Sequence, residues 1–183
     1  MPTMSRLRWW YLAYLSKPRE YRELFRTVKK LRPQRILEIG LVDVNRSLTL
    51  LEVALDGRSA DDVRYTAVDL FDARSPKEKA LPLKQAHCLF KPKGIRCQFI
   101  PGLPHEALVR SANALQGTDL VIVSRDIEPE SLAKSWFFMP RMLHAKSLVL
   151  IESSGPNGAI TFAPHDLPAI ERLASQSNRR KAA

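Results

Sequence analysis

Two residues in the first half of the chain have the type and position needed to hold a nucleoside. Gly40 directly follows the apolar run 35–39, and Asp69 follows the run 64–68. A glycine at the end of a strand lets the backbone approach a ligand, and the next helix offers free N–H groups at its start. A carboxylate ending the second strand can accept hydrogen bonds from both hydroxyls of a ribose.

Each of these residues also has a purely structural explanation. Gly40 could form only a tight turn between a strand and a helix, and Asp69 could cap the segment that follows it. Glu38 could pair with a nearby arginine, such as Arg35 or Arg125. The residue types alone leave both explanations open.

Five short apolar runs predict the strands of a sheet that would position these residues. They contain many β-branched and large apolar residues, as strands buried on both faces require. Stretches with helical periodicity separate them, which is typical of βαβ units. The runs cover residues 35–39, 64–68, 95–100, 119–123 and 147–151, and a further short strand is expected at 159–163. The sequence therefore predicts an open, doubly wound, mostly parallel α/β sheet of five or six strands.

The length and composition fit one folded domain with a distinct N-terminal segment. The chain has 183 residues, of which 45% are hydrophobic and 26% charged, as in ordinary globular proteins. An apolar helical stripe begins at Tyr21 and ends before Pro33. We expect an N-terminal arm and helix over residues 1–33, the sheet domain over 34–175 and a flexible basic tail over 176–183.

The basic charge of the chain lies mostly at its N-terminus. Residues 1–35 hold ten Lys and Arg against two Glu, whereas residues 36–183 hold nineteen against seventeen acidic residues. The arm also contains six aromatic residues. Such a segment attracts a nucleic acid, an anionic membrane surface or an acidic partner. Alternatively, its aromatic residues pack on the domain, or the arm forms a contact in a homo-oligomer.

Several kinds of chemistry have no support in the sequence. The pattern G-x-G-x-x-G is absent, and Gly40 and Asp69 stand 29 positions apart, which disfavours a nicotinamide enzyme. There is no nucleophile elbow, H-E-x-x-H or P-loop, so hydrolase, metalloprotease and NTPase functions are unsupported. Two cysteines and four scattered histidines lack zinc spacing, and this cysteine usage fits an intracellular protein.

The predicted strands and turns resemble those of the class I S-adenosylmethionine-dependent methyltransferases. The resemblance covers roughly residues 34–153 and implies a Rossmann-like fold with S-adenosylmethionine as cofactor. The segments that carry it are RILEIG ending at Gly40, YTAVDLF with Asp69, IRCQFIPG ending at Gly102, GTDLVIVSRD and LHAKSLVLIESS.

The resemblance also implies roles for individual residues. The glycine loop after the first strand is expected to cradle the methionine part of the cofactor, and Glu38 to help hold the site. Asp69 is expected to bind the ribose hydroxyls, the loop with Gly102 and Leu103 to lie near the adenine, and residues 124–126 to face the transferred methyl group. The implied cofactor-binding residues are Glu38, Gly40, Leu41, Asp69, Leu70, Gly102, Leu103 and Ser124.

The chain departs from the family pattern in the glycine loop. The usual E-x-G-x-G-x-G is replaced by EIGLVDV, so that Val42 and Val44 stand where two glycines are usual. Methyl transfer is a direct displacement in which positioning does most of the catalysis, and a general base is optional. The candidates for such a base are Asp126 and Glu152.

Two functions remain open from the sequence. The resemblance favours an S-adenosylmethionine-dependent transferase with an unidentified methyl acceptor. The altered loop and the charge of the arm favour a non-catalytic binding module of the same fold, which would use residues 1–35 to contact nucleic acid or a membrane surface. For both we expect a cytoplasmic location, with peripheral membrane contact as an alternative.

Overall fold

A computed structural model describes residues 3–74, 81–155 and 159–182, and in it six strands form one sheet. The strands are β1 (Arg35–Ile39), β2 (Arg64–Asp69), β3 (Arg96–Pro101), β4 (Leu120–Val123), β5 (Leu148–Ser154) and β6 (Ile160–His165). Their order is β3-β2-β1-β4-β5-β6, with β1 to β5 parallel and β6 antiparallel to β5. The open, mostly parallel sheet predicted from the sequence is confirmed.

The order of the strands reverses between β1 and β4. The chain first builds outward from β1 through β2 to β3, then returns to the other side of β1 to add β4, β5 and β6. In sheets of this kind a crevice opens beyond the carboxyl ends of the strands at the reversal. Gly40 and Ser124 follow β1 and β4, so they lie at this point.

Seven helices are found in the described part of the chain. They are α1 (Arg6–Trp10), which continues as a π-helical turn over Tyr11–Leu15, α2 (Tyr21–Leu31), α3 (Val44–Ala54), α4 (Leu83–Phe90), α5 (Pro104–Ser111), α6 (Pro129–Ser135) and α7 (Leu167–Ala182). Within the described ranges, no helix combines the length and apolar character needed to cross a membrane.

The helices cover both faces of the sheet. Buried residues of α2, α3 and α4 pack with Tyr65 and Ile122 on one face. Buried residues of α5 and α7, together with Trp136 and Met139, pack with Leu37 and Val121 on the other. The helical stripe predicted for the N-terminal segment is buried in the first of these clusters, so α2 packs directly on the sheet domain.

The helical stretch predicted over residues 129–143, with a kink expected at Pro140 near its end, is interrupted. The helix α6 ends at Ser135 and a short 3-10 turn follows at Met139–Arg141. A continuous helix would press the ring of Pro140 against the carbonyl of Trp136 and lose one hydrogen bond. At the C-terminus, α7 continues to Ala182, through the segment expected to be a flexible tail. This segment contains neither glycine nor proline, so nothing in it breaks the helix. The turn expected at residues 155–158 falls mostly outside the described residues.

Candidate functional site

A cleft of about 570 Å³ opens at the carboxyl ends of the first four strands. Each of the four loops that follow these strands contributes to its wall. Val42 comes from the loop after β1, Asp69 from the end of β2, Gly102 from the loop after β3 and Ile127 from the loop after β4, while Ser131 of α6 completes the wall. A space of this volume is within the usual range of small-molecule sites.

Asp69 is a buried carboxylate whose two oxygens differ in their partners. Its Oδ1 accepts a hydrogen bond from the Leu70 N–H at 2.8 Å and another from Arg74 Nη2 at 2.7 Å. Its Oδ2 is buried and makes no hydrogen bond of normal geometry among the described residues, although the backbone N–H of Leu41 is near enough to lower the pKa of the carboxyl. Burial raises the pKa of the Asp69 carboxyl, and the neighbouring Arg74 lowers it by less. Since unpaired buried polar atoms are rare in folded proteins, Oδ2 is an acceptor that a donor in the cleft can satisfy once the carboxylate turns toward it.

The loop that carries Arg74 is fixed by an aromatic anchor. Phe71 is fully buried, takes a left-handed backbone conformation with φ of 49° and packs edge-on against Phe99 at 5.9 Å. Arg74 follows three residues later and lies on the cleft wall, where its ion pair with Asp69 is largely buried. The Arg74 guanidinium therefore binds the same carboxylate that is expected to bind the ribose hydroxyls.

The loops after β1 and β4 lie so close together that position 40 has no room for a side chain. Its φ is 87°, and a Cβ at this position would lie 2.8 Å from Ser124 Cβ and 2.9 Å from Ile127 Cδ1. Both Leu41 and Ser124 are buried. These three residues lie behind the cleft and support its wall, whereas Ile127 lines it.

The two valines of the altered glycine loop have different surroundings. Val42 is 41% exposed and lines the cleft. Val44 is the first residue of α3 and packs on the hydrophobic core. Only one of the two added side chains therefore reaches the space in which a cofactor would lie, and the cleft remains open.

Glu38 is fully buried and both of its oxygens are bonded within the protein. Oε1 accepts hydrogen bonds from Arg46 Nη2 at 2.6 Å and Ser47 Oγ at 2.9 Å, and Oε2 accepts one from the Tyr65 hydroxyl at 2.6 Å. Burial raises the pKa of Tyr65 well above its usual value, and the charge of Glu38 raises it further. Tyr65 thus remains a hydrogen-bond donor, and Glu38 joins β1 to β2 and α3 from behind the cleft.

The partner of Glu38 differs from the arginines considered in the sequence analysis. Neither Arg35 nor Arg125 pairs with it, because α3 begins at Val44 and its first turn brings Arg46 over β1. Arg46 also donates to Glu152 Oε2 at 2.6 Å. Burial lowers the pKa of Arg46, but the two carboxylates raise it by more, so that it stays above its usual value.

The two candidates for a general base are in different environments. Glu152 is buried against Arg46 and lies outside the cleft wall, so it is not placed to accept a proton there. Asp126 lies on the wall and its carboxylate is 3.6 Å from Arg125 Nε. The expectation for Glu152 is corrected, because its charge is used to neutralise a buried guanidinium.

The cleft brings together half of the residues that the resemblance implies. Asp69, Leu70, Gly102 and Leu103 line it, whereas Glu38, Gly40, Leu41 and Ser124 lie behind it. Four further residues that the sequence did not indicate line the cleft: Arg74, Ile127, Glu128 and Ser131. The first three lie in loops after strands, which was the only available signal, and Ser131 lies in α6. None of the four belongs to a recognisable motif.

Comparison with solved structures shows methyltransferases of similar fold. An O-methyltransferase from Bacillus cereus in complex with SAH is 15% identical with a TM-score of 0.58, over 90% of this chain and 70% of that one. The SAH-bound methyltransferase PaMTH1 from Podospora anserina is 19% identical with a TM-score of 0.53, over 99% and 79%. The O-methyltransferase TomG from Streptomyces achromogenes in complex with SAM is 12% identical with a TM-score of 0.54, over 96% and 79%.

The likeness to these structures establishes a methyltransferase-like, Rossmann-like fold. No protein-family model matches the chain, and no curated protein matches it.

Proposed function

We propose that the cleft at the carboxyl end of the sheet binds S-adenosylmethionine and that the protein transfers its methyl group to an acceptor. The observation that carries this proposal is the buried, unpartnered Oδ2 of Asp69 on the cleft wall. This oxygen lacks a hydrogen-bond donor, and a ribose hydroxyl is a donor of suitable size and polarity. The solved structures of similar fold that contain SAM or SAH support the same ligand class.

The residues present can accommodate this cofactor. One ribose hydroxyl can donate to Asp69 Oδ2 after a rotation of the carboxylate toward the cleft, while a second must share Oδ1 with Arg74 or displace it. Leu70 and Leu103 offer apolar surface on the side of the cleft where β2 and β3 end, which suits a purine ring. The methionine part would lie along the loop that contains Val42.

When bound, the cofactor supplies an electrophilic methyl group on a sulfonium. An acceptor that carries a proton would release it as it takes this methyl group from the sulfur, so the chain must provide or admit a proton acceptor. Asp126 and Glu128 are carboxylates on the wall that can take this proton, and water at the cleft can also take it. The main contribution of the chain is positioning, through the rigid support of the cleft by Gly40 and Glu38.

One observation favours a second function. Arg74 neutralises Asp69 within the protein, as it would in a protein that binds no cofactor. The alternative is a non-catalytic module of the same fold, in which this ion pair is only structural. The two functions differ in cofactor binding: the transferase binds the cofactor through Asp69, whereas the non-catalytic module does not bind it.

Isothermal titration with S-adenosylmethionine and S-adenosylhomocysteine tests the proposal. We expect both to bind, and Asp69→Asn to weaken binding about tenfold or more, which corresponds to ~1.4 kcal/mol. Asp61→Asn is a matched control, because this aspartate is exposed and precedes β2 at the opposite end of the sheet. Absence of heat at millimolar ligand would favour the non-catalytic module, and equal affinity in the Asp69 and Asp61 variants would show that Asp69 does not bind the ribose.

A further inference from the structure

A stripe of large apolar side chains faces solvent along the N-terminal helix. Each member lies three or four positions from another member, which is the spacing of one helical face. They are between 45% and 81% exposed, and they make up most of the exposed large hydrophobic residues found in the described chain. This outer stripe consists of Leu7, Trp10, Tyr11, Tyr14 and Leu15.

The opposite face of the same helix is attached to the domain. Trp9 packs on the core and Leu12 is buried in it. The Met4 N–H donates to Asp56 Oδ1 at 2.8 Å, and Arg8 Nε donates to Glu52 Oε1 at 3.1 Å. The outer stripe is therefore presented by a helix held in a fixed position, with apolar residues on both of its faces. A helix that only covered the core would need apolar residues on one face.

Positive charge surrounds the outer stripe. Residues 1–19 contain no acidic residue. Arg6 lies at one end of the stripe and Lys17 and Arg19 at the other, and all three are exposed. The exposed side of helix α2 carries Arg26 and Lys30 together with one acidic residue, Glu23. An apolar stripe bordered by cations is complementary to a partner with an apolar interior beneath an anionic outer layer.

We propose that the outer stripe docks this protein on the surface of a membrane that contains anionic lipids. Tryptophan and tyrosine have apolar rings with a polar group, which suits the headgroup region, and the leucines can insert among the acyl chains. The flanking Arg6, Lys17 and Arg19 can reach the lipid phosphates. The helix would lie in the plane of the interface and would not span the bilayer. This inference goes beyond methyl transfer and holds whether or not the cleft binds a cofactor.

Two other occupants fit the observations less well. A symmetric contact between two copies would place the same cations of both chains near each other, which is repulsive. Single-stranded nucleic acid binds on aromatic platforms within a basic groove, but Leu7 and Leu15 offer no ring for stacking and the stripe lies on a convex helix. A lipid surface uses both the leucines and the aromatic residues.

Co-sedimentation of the full chain with vesicles tests the proposal. We expect binding to vesicles of phosphatidylcholine with about one-third phosphatidylglycerol, weaker binding to pure phosphatidylcholine, and a decrease with added salt. The variant Trp10→Ser/Tyr14→Ser should lose about tenfold or more in affinity. A matched control is Leu89→Ser/Val109→Ser, which changes two exposed apolar residues on α4 and α5 and should bind as the wild type does.

Fluorescence provides a second readout that does not depend on the fold of the serine variant. Trp10 is the exposed member of the three tryptophans, so its emission should shift to shorter wavelength when vesicles are added. Trp10→Phe should keep most of the binding and lose most of this shift. Absence of vesicle binding, or equal binding by the outer-stripe and control variants, overturns the proposal. Stripe-dependent dimerisation in light scattering, or stripe-dependent binding of single-stranded RNA in place of vesicles, also overturns it.

Discussion

Gly40 illustrates how a single residue fixes the distance between two loops of the cleft. Its positive φ disfavours any L side chain, and a Cβ would collide with Ser124 and Ile127. We expect Gly40→Ala to lower the free energy of unfolding by about 2–3 kcal/mol in urea denaturation. Gly57→Ala is the control, since Gly57 has a similar φ of 68° but no neighbour within 4 Å. It should lose about 1 kcal/mol, and equal losses at the two positions would contradict this account of the loop contact.

The ionised carboxylate of Asp69 is expected to lower the free energy of unfolding, because it is buried beside the cleft. Burial raises its pKa, with Arg74 acting in the opposite direction, so the folded protein holds the proton more tightly than the unfolded chain does. Stability should therefore fall as pH rises above the unfolded pKa of about 3.9 and through the higher folded value. Asp69→Asn removes this ionisation and should raise Tm at neutral pH, with little difference in strong acid. Thermal unfolding at both pH values checks this, and a lower Tm at neutral pH would contradict it.

At the scale of elements, the start of α3 determines much of the site. Asp43 Oδ1 accepts the Arg46 N–H at 3.0 Å as the helix cap, and Oδ2 accepts the Tyr21 hydroxyl at 3.0 Å. We expect Asp43→Ala to cost about 1–2 kcal/mol in urea denaturation. In a cycle with Tyr21→Phe, the double variant should lose less than the sum of the two single losses, because both changes remove the same hydrogen bond. Ser5→Ala, which removes the cap of the short and exposed α1, should cost less.

The strands could be predicted from the sequence because their environment is uniform. Residues of β1, β2 and β4 are buried on both faces, so the apolar runs mark these strands to within one residue. The sheet order and the place of the cleft follow from alternating strands and helices together with the rule for strand reversal.

The pairing of charged side chains could not be predicted in the same way. The apolar periodicity predicts a helix that begins at Ser47, but α3 begins three residues earlier, at Val44, where Asp43 caps it. This start brings Arg46 to Glu38. Arg74 reaches Asp69 through the conformation of the short segment around Phe71, which no motif specifies. Such contacts depend on where an element begins, and a shift of a few residues changes the partner.

At the scale of the whole molecule, Arg46 connects the two halves of the sheet. It binds Glu38 on β1 and Glu152 on β5, and Tyr21 and Phe162 lie beside its guanidinium at 5.7 and 6.0 Å. Arg46→Met should destabilise the fold by about 3–5 kcal/mol, because it leaves the buried Glu38 without a cation and Glu152 with only Arg125 Nε, 3.8 Å away.

An exposed ion pair provides the comparison for Arg46. Arg96 and Asp61 are both well exposed and 3.8 Å apart, so Arg96→Met should change the free energy of unfolding by less than about 1 kcal/mol. Chemical denaturation of both variants measures the difference. Similar losses would show that the buried cluster contributes no more than a surface pair.

The ion pair between Arg74 and Asp69 has a consequence for the order of events in a cleft that binds cofactor. A ribose that takes both carboxylate oxygens releases the guanidinium, and Arg74 then carries an uncompensated positive charge on a wall that any second molecule must pass. A negatively charged acceptor would meet that attraction only once the first ligand is seated. The side chain that pairs with Asp69 would thereby favour binding of the acceptor after the cofactor.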